Sequence, residues 1–300
     1  MSASSSVQAA TPAAQEQNRR TGAAAQKELT KARRLRRRDV ALAILTPVLL
    51  LVAWQLAAEA GLIDRQLFPP PSETLTRGVE MLAGEELLTH IGATVARLAT
   101  GYTLGALLGI VCGLAMGTWR PLNAALGPTF SALYALPKIA ILPLLLLIFG
   151  LTETPKILAV MITIFFVLQI NTLSGIRQID SRVLEAAQAY GATGWRQFRF
   201  VIIPAVLPSI FTGLRVAAGL GVIVITAVEF VASNNGLGFL IWNSWQLFQP
   251  ERMYVGLIAV SILGALLTFG ITFAEYLAIP WRRANKPSRS SRRRNEKRSL

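Results

Sequence analysis

The sequence predicts an all-α, polytopic membrane protein with six transmembrane helices. Three observations predict it. Of 300 residues, 53% are hydrophobic and only 15% charged, a balance foreign to a soluble domain of this size. The apolar residues gather in six runs, each long enough at about 1.5 Å per residue to cross a hydrocarbon core of about 30 Å. The net charge of +14 is concentrated outside these runs, in residues 1–38 and 282–300, where charge sets topology rather than fold.

Residues 1–38 are rich in Ala, Gln, Ser and Arg and nearly free of large apolar side chains, which predicts a disordered basic tail. The first span covers 39–63. Ala58-Glu59-Ala60 looks like a small-residue cleavage site, but the basic region before it and the apolar run itself are both too long for a signal peptide, so the segment reads as an uncleaved anchor. Residues 64–90 form an external linker. After Pro69-Pro70-Pro71, Ser72 can cap an interfacial helix with Leu75, Val79 and Leu82 on one face and Glu73, Arg77 and Glu80 on the other.

The second span, 91–116, carries glycine at every fourth position: Gly101, Gly105, Gly109, Gly113 and Gly117. In lipid such a stripe lets another helix's backbone approach closely, and its role is read as packing, without chemistry. Arg97, near the outer end, is expected to snorkel. The third span, 126–150, is interrupted by Pro128, Pro137 and Pro143. A broken helix is tolerated at membrane depth only where protein or a water-filled cavity satisfies the freed backbone groups, and in transporters that often means the pathway. Pro137, Lys138 and Pro143 are therefore pathway candidates. Lys138 should face a cavity, an acidic partner or a span end. Contact with an anionic substrate and an interfacial or structural role both remain open for it.

The fourth span is 155–175 and the fifth 209–231. The fifth holds Arg215 and Glu229, and because two central charges are hardly affordable in one span, Arg215 is expected to reach inner head groups and Glu229 the outer vestibule. Glu229 joins the pathway candidates. Asn234-Asn235-Gly236-Leu237-Gly238 is turn chemistry, and Trp242, Trp245 and Tyr254 suit an outer interface. The sixth span covers 254–279. A second basic tail, 281–300, is expected to be disordered.

Between spans four and five lies a polar, helix-forming insert, 176–208. Asp180 or Ser181 can cap a short helix, Gly191 can end it in the left-handed conformation, and Thr193 can cap a second short helix through Phe200 that gives way to the next span at Pro204 and Pro208. The two short helices should meet at a right-angle break on the membrane face. The series Glu185-Ala186-Ala187, then Gly191, then Ile203-Pro204 resembles the EAA signature of permeases of ATP-binding cassette (ABC) importers.

Phe68-Pro69-Pro70-Pro71-Ser72, Leu136-Pro137-Lys138-Ile139-Ala140, Phe149-Gly150 and Asn235-Gly236-Leu237-Gly238 resemble the sulfonate, taurine and nitrate branch. The resemblance covers about residues 62–283. It implies the type I ABC importer permease fold over 91–280 and a coupling helix in which Glu185, Ala186, Ala187 and Gly191 contact a separate ATPase. It also implies an extracytoplasmic solute-binding protein, a permease dimer, most simply a homodimer, and a small anionic solute such as an alkyl sulfonate, taurine or nitrate. Relatives linked to vitamin-precursor amines and bicarbonate widen that range.

With six spans, both tails, Arg120, Arg177, Arg182, Arg196 and Arg199 fall on one side, against Arg65, Arg77, Lys156 and Arg252 on the other. The positive-inside rule then places both termini and the insert in the cytoplasm, and the resemblance implies that the membrane is a bacterial plasma membrane. The chain has no Gly-Lys pair and hence no phosphate-cradling loop, so ATP is expected to be bound and hydrolysed by the partner, with no cofactor in this chain. No catalytic constellation or metal-spaced cluster is apparent, and Cys112 stands alone. An ion-gradient-driven carrier or channel is the alternative; it would favour repeated halves with paired intramembrane acids and bases. Nucleic-acid binding by the arginine-rich tails would need a folded basic module that they lack.

Overall fold

The structure, a computed structural model, describes residues 12–281. The expectations for 1–11 and 282–300 lie outside the described residues. The chain divides into two compact units, Met1–Ser72 and Glu73–Leu300.

In the first unit, helix α1 runs over Pro12–Glu59. This corrects the expected disorder of 12–38. Ala, Gln, Lys, Arg and Glu are strong helix formers, and propagating a helix outward from an apolar segment avoids a new nucleation event. The part long and apolar enough to cross a membrane is Arg38–Glu59. Gly61, at φ +70°, ends it, with Leu62 N–H donating to Ala57 O at 2.9 Å. Ser72 is not a helix cap. Its N–H donates to Gln55 Oε1 (3.1 Å) and its hydroxyl accepts from Gln55 Nε2 (2.9 Å). Helix α2 (Pro71–Ala83) instead starts on a proline, whose missing N–H costs nothing in a first turn.

The second unit continues with α3 (Glu86–Thr118), α4 (Arg120–Ala135), a 3₁₀ turn (Lys138–Ile141), α5 (Leu142–Phe149) and α6 (Glu153–Arg177). It then runs through α7 (Ser181–Ala189), α8 (Gly194–Gln197), a π turn (Phe198–Ile202), α9 (Ile203–Ala232), α10 (Leu237–Gln246) and α11 (Pro250–Ala278). Five stretches are long and apolar enough to cross a membrane: Arg38–Glu59, α3, α6, Gly194–Ala232 and α11. The pair α4 and α5, bent by 93°, makes up to a sixth. No strand occurs among the described residues.

Helix α6 is the axis of the unit, packed between α3 and α9. The α3 glycines lie directly against its ridge. A Cβ built on Gly101 would sit 2.8 Å from Val160 Cβ, on Gly105 2.9 Å from Ile164 Cβ, on Gly109 2.9 Å from Leu168 Cβ, on Gly113 2.7 Å from Thr172 Cβ, and on Gly117 3.0 Å from Ile176 Cβ. Both sets advance by four residues in the same direction, so α3 and α6 run parallel with one row of side chains seated on a row of bare backbone. Val160, Ile164, Leu168, Val206, Ile225 and Val228 form the core behind that contact.

The expected break between a second short helix and the fifth span is absent. Residues Gly194–Ala232 form one continuous helical stretch. Pro204 has no N–H to give to the ladder, and the turn just before it widens to the π form, with Ile203 N–H donating to Phe198 O. The π turn before Pro204 shifts the register, and Pro208 lies inside α9, so neither proline ends the helix.

Candidate functional site: an exposed insert, a broken span and a buried ion cluster

The insert between α6 and α9 is built as its local sequence dictates. Asp180 caps α7, accepting from Arg182 N–H at 2.9 Å. At the other end Gly191 adopts φ +79°, Ala192 N–H donates to Ala187 O and Gly191 N–H to Gln188 O, both at 2.9 Å, the paired bonds of a Schellman motif. Glu185, Ala186 and Gly191 are exposed and Ala187 partly so. Apolar side chains stand beside them: Val183, Trp195 and Phe200 are exposed, and Tyr190 is 92% exposed. Trp195 stacks on Phe198 at 5.2 Å between ring centres. A short helix carrying bare aromatic surface next to a polar face has the make-up of a docking element.

The broken span places Pro137, Lys138 and Pro143 at one bend. Helix α4 ends at Ala135, Leu136 and Pro137 are extended, and Pro143 opens α5. Pro128 does not break α4, which continues through it. The Lys138 ammonium donates to Tyr134 O, the end of the α4 carbonyl ladder, and lies 4.2 Å from the Tyr134 ring centre and 5.8 Å from that of Phe166. Phe130, Phe165 and Phe166 meet edge to face behind it, with centres 5.1 to 5.9 Å apart.

Glu229 is not in a vestibule, and Arg97 does not snorkel. Glu229 is fully buried and Arg97 is 4% exposed. Arg97 Nη1 donates to Glu229 Oε1 at 2.8 Å and to Asn235 O at 2.9 Å. Its Nε and Nη2 grip Glu153, and Nη2 also reaches the Asn235 side chain. Lys156 adds a second cation on Glu153 at 2.8 Å. Around Glu229, Thr94 donates its hydroxyl (2.9 Å to Oε2) and Gly238 its N–H (2.9 Å), while Leu237 N–H donates to Thr94 Oγ1 (2.7 Å) and Gly236 N–H to His90 Nδ1 (3.1 Å). A buried charge is stable only when paired and hydrogen-bonded, and here α3, α6, α9 and the loop before α10 all contribute. Gly238 permits the approach, since a Cβ there would lie 2.7 Å from Glu229 Cβ.

Arg215 likewise does not depend on head groups. It pairs with Glu275 of α11 at 2.9 Å. Thus Arg97, Thr94 and Glu153 were missed as partners of Glu229, and Glu275 as partner of Arg215. The available signal was an opposite charge in another span at similar depth. Glu229 and Lys138 belong to separate clusters, and Glu185, Ala186, Ala187 and Gly191 to a third. Among the described residues no group of His, Cys, Asp and Glu is placed to hold a metal ion.

A polytopic helical bundle with an exposed helical insert and a proline-broken span is the architecture of a membrane transport subunit. The chain belongs to the family of binding-protein-dependent transport system inner membrane components, whose model matches residues 105–283. These are the permeases of ABC importers, and the relatives place the chain in the sulfonate, taurine and nitrate branch. The taurine transport system permease protein TauC of Escherichia coli is 31% identical over 81% of this chain and 90% of its own length. The aliphatic sulfonates transport permease protein SsuC of the same organism, itself a provisional assignment, is 33% identical over 78% and 89%. The bicarbonate transport system permease protein CmpB of Synechocystis sp. is 32% identical over 90% and 99%. In three dimensions the chain is similar to a chain of the inward-facing MetNI methionine ABC transporter, with a TM-score of 0.54 at 21% identity, covering 64% of this chain and 95% of the other. The fold is that of a type I ABC importer permease.

Proposed function

We propose that this protein is the membrane-spanning subunit of an ABC importer that moves a small anion, of the alkyl sulfonate, taurine, nitrate or bicarbonate kind, into the cell by alternating access. A separate ATPase at the cytoplasmic face binds and hydrolyses ATP; this chain has no such site of its own. An extracytoplasmic binding protein delivers the solute and sets most of the specificity. Two copies of the chain form the pathway, and both termini and α7 face the cytoplasm.

The observation that carries the coupling role is the α7 insert. Glu185, Ala186, Ala187 and Gly191 are held by a capped, Schellman-terminated helix that presents exposed Val183 and Tyr190 to whatever docks there. ATP-driven closure of the ATPases draws the two inserts together, and the broken span at Pro137, Lys138 and Pro143, together with α9, opens outward. The buried, fully paired Glu229 favours a structural part for that residue over a place in the pathway. The names of the relatives support a small anionic solute.

The test is purification of the tagged chain in mild detergent, with mass spectrometry and an ATPase assay on what accompanies it. A nucleotide-binding subunit should co-purify and be lost on Gly191→Val or Glu185→Lys. Its absence from a preparation that keeps the permease intact would favour a gradient-driven carrier instead.

A further inference from the structure

We infer that Lys138 is an anion-binding residue of the pathway, holding the charged head of the transported solute at the bend between α4 and α5. The inference rests on the transport reading above and names the side chain that reading leaves unassigned.

Among the described residues four basic residues lie within the apolar runs of the sequence, and one of them, Lys156, is paired with Glu153. Arg97 is neutralised by Glu229 and Glu153, and Arg215 by Glu275. Lys138 has no carboxylate within ion-pair distance among the described residues. Its hydrogen bond goes to a backbone carbonyl, that of Tyr134. An ammonium has three donors, so two remain for a ligand. The carbonyl and the Tyr134 ring, 4.2 Å away, hold the cation in place without cancelling its charge. An uncompensated positive charge away from water costs several kcal/mol unless a counter-ion visits. Sequences that need only a bend can have it from Pro137 and Pro143 alone.

The location suits a small solute. A 93° break separates α4 from α5, and broken helices near mid-membrane are where transporters place substrate sites. Lys138 itself is partly exposed, and Pro137, Ile139 and Ala140 beside it are exposed. The exposed Tyr134 ring offers apolar surface next to the ammonium, backed by Phe166 at 5.8 Å, which is itself buried against Phe130 and Phe165. A monoanion with a compact or short apolar body, such as a sulfonate, fits this pairing; a cation does not.

The experiment uses the chain with its ATPase and binding protein, in proteoliposomes, in a Cys112→Ala background so that this chain carries no other thiol, with the reagent-treated Cys112→Ala parent as the control for thiols of the partner subunits. The probes are radiolabelled taurine, ethanesulfonate and bicarbonate. Lys138→Met should raise the KM for the accepted anion about 10- to 100-fold, the range of a lost charge-assisted hydrogen bond, with ATPase co-purification and thermal stability retained. Lys138→Cys should be equally impaired, regain uptake after reaction with an aminoethyl thiosulfonate, and stay impaired after the sulfonatoethyl reagent.

The inference is overturned if Lys138→Met transports within about twofold of the parent, or if both reagents restore uptake equally, since shape rather than charge would then be at issue. It is also overturned, with the ATPase-driven reading intact, if the parent takes up none of the three probes, zwitterionic taurine included, but carries on ATP a solute with no anionic head. No ATP-dependent uptake of any solute by the parent would remove the transport reading itself.

Discussion

Arg97 on α3 and Glu229 on α9 meet at 2.8 Å in a site from which both are shielded, 132 residues apart in sequence. The pair is the centre of a cluster that also holds Glu153, Thr94 and the amide of Gly238. Removing one partner leaves the other charge buried and alone, which costs about 3–5 kcal/mol. Arg97→Met and Glu229→Leu should therefore each lower the unfolding temperature in detergent sharply. The double variant should lose much less than the sum, because Glu153 keeps Lys156 and is itself 57% exposed. Strict additivity in a double-mutant cycle would mean that the two side chains do not depend on each other.

The glycine stripe of α3 gives a graded expectation. Gly109→Ala puts a methyl 2.9 Å from Leu168 Cβ, with backbone of α6 beside it, so one helix must move. The expected loss is about 1–3 kcal/mol, as for other overpacked interfaces. Gly92, in the same helix, has nothing within 4 Å of a built Cβ. Gly92→Ala should be neutral or gain up to about 1 kcal/mol from helix propensity. Thermal unfolding of the two variants side by side tests the assignment, and equal effects would count against the close approach of α3 to α6.

What could be read from the sequence was local or periodic. Six apolar runs, a four-residue glycine repeat and the capping chemistry around Asp180 and Gly191 each lie within a short window, where physical rules act directly. What could not be read was pairing between windows. Taken one span at a time, Arg97, Arg215 and Glu229 had to be placed near membrane ends, because a lone charge at depth is costly. In the folded unit each has a counter-charge from another helix, and the constraint vanishes. The Asn235-Gly236-Leu237-Gly238 segment shows the same limit. Its turn character was visible, but its amides reach Glu229, Thr94 and His90, contacts set by the fold. Pro204 misled for a different reason, since a π turn just before it absorbs the missing N–H without ending the helix, and the α-helix then runs on through Pro208.

The cap at Asp180 separates coupling from folding. Asp180→Ala removes the acceptor for Arg182 N–H, worth about 1 kcal/mol to the start of a helix. Helix α7 has 9 residues, all of them outside the core, so the bundle should unfold at the parent temperature while α7 frays more often. On the proposed coupling role, retention of the ATPase on the tagged chain should fall about fivefold, the equivalent of that energy, and Asp180→Asn should restore it. A drop in thermal stability with unchanged ATPase retention would place the residue in the fold and not in the docking.

The ends of α7 and α10 use the same Schellman bonds with different residues at the left-handed position. At α7 it is Gly191; at α10 it is Phe248, with φ +53°, Gln249 N–H donating to Ser244 O at 2.9 Å and Phe248 N–H to Trp245 O at 3.2 Å. A side chain in this conformation costs roughly 1–2 kcal/mol relative to glycine, and the Phe248 ring recovers little of it from packing within the chain, being 88% exposed. Phe248→Gly should thus raise stability in detergent by about 1 kcal/mol, while Gly191→Phe should weaken the end of α7. The same Phe248→Gly variant in a lipid bilayer checks why an aromatic is kept there. If the ring anchors the C-terminal end of α10, along with Trp242 and Trp245, at the head-group level, the gain seen in detergent should shrink or reverse in nanodiscs. An equal gain in both media would show that the strain is not offset by the membrane interface.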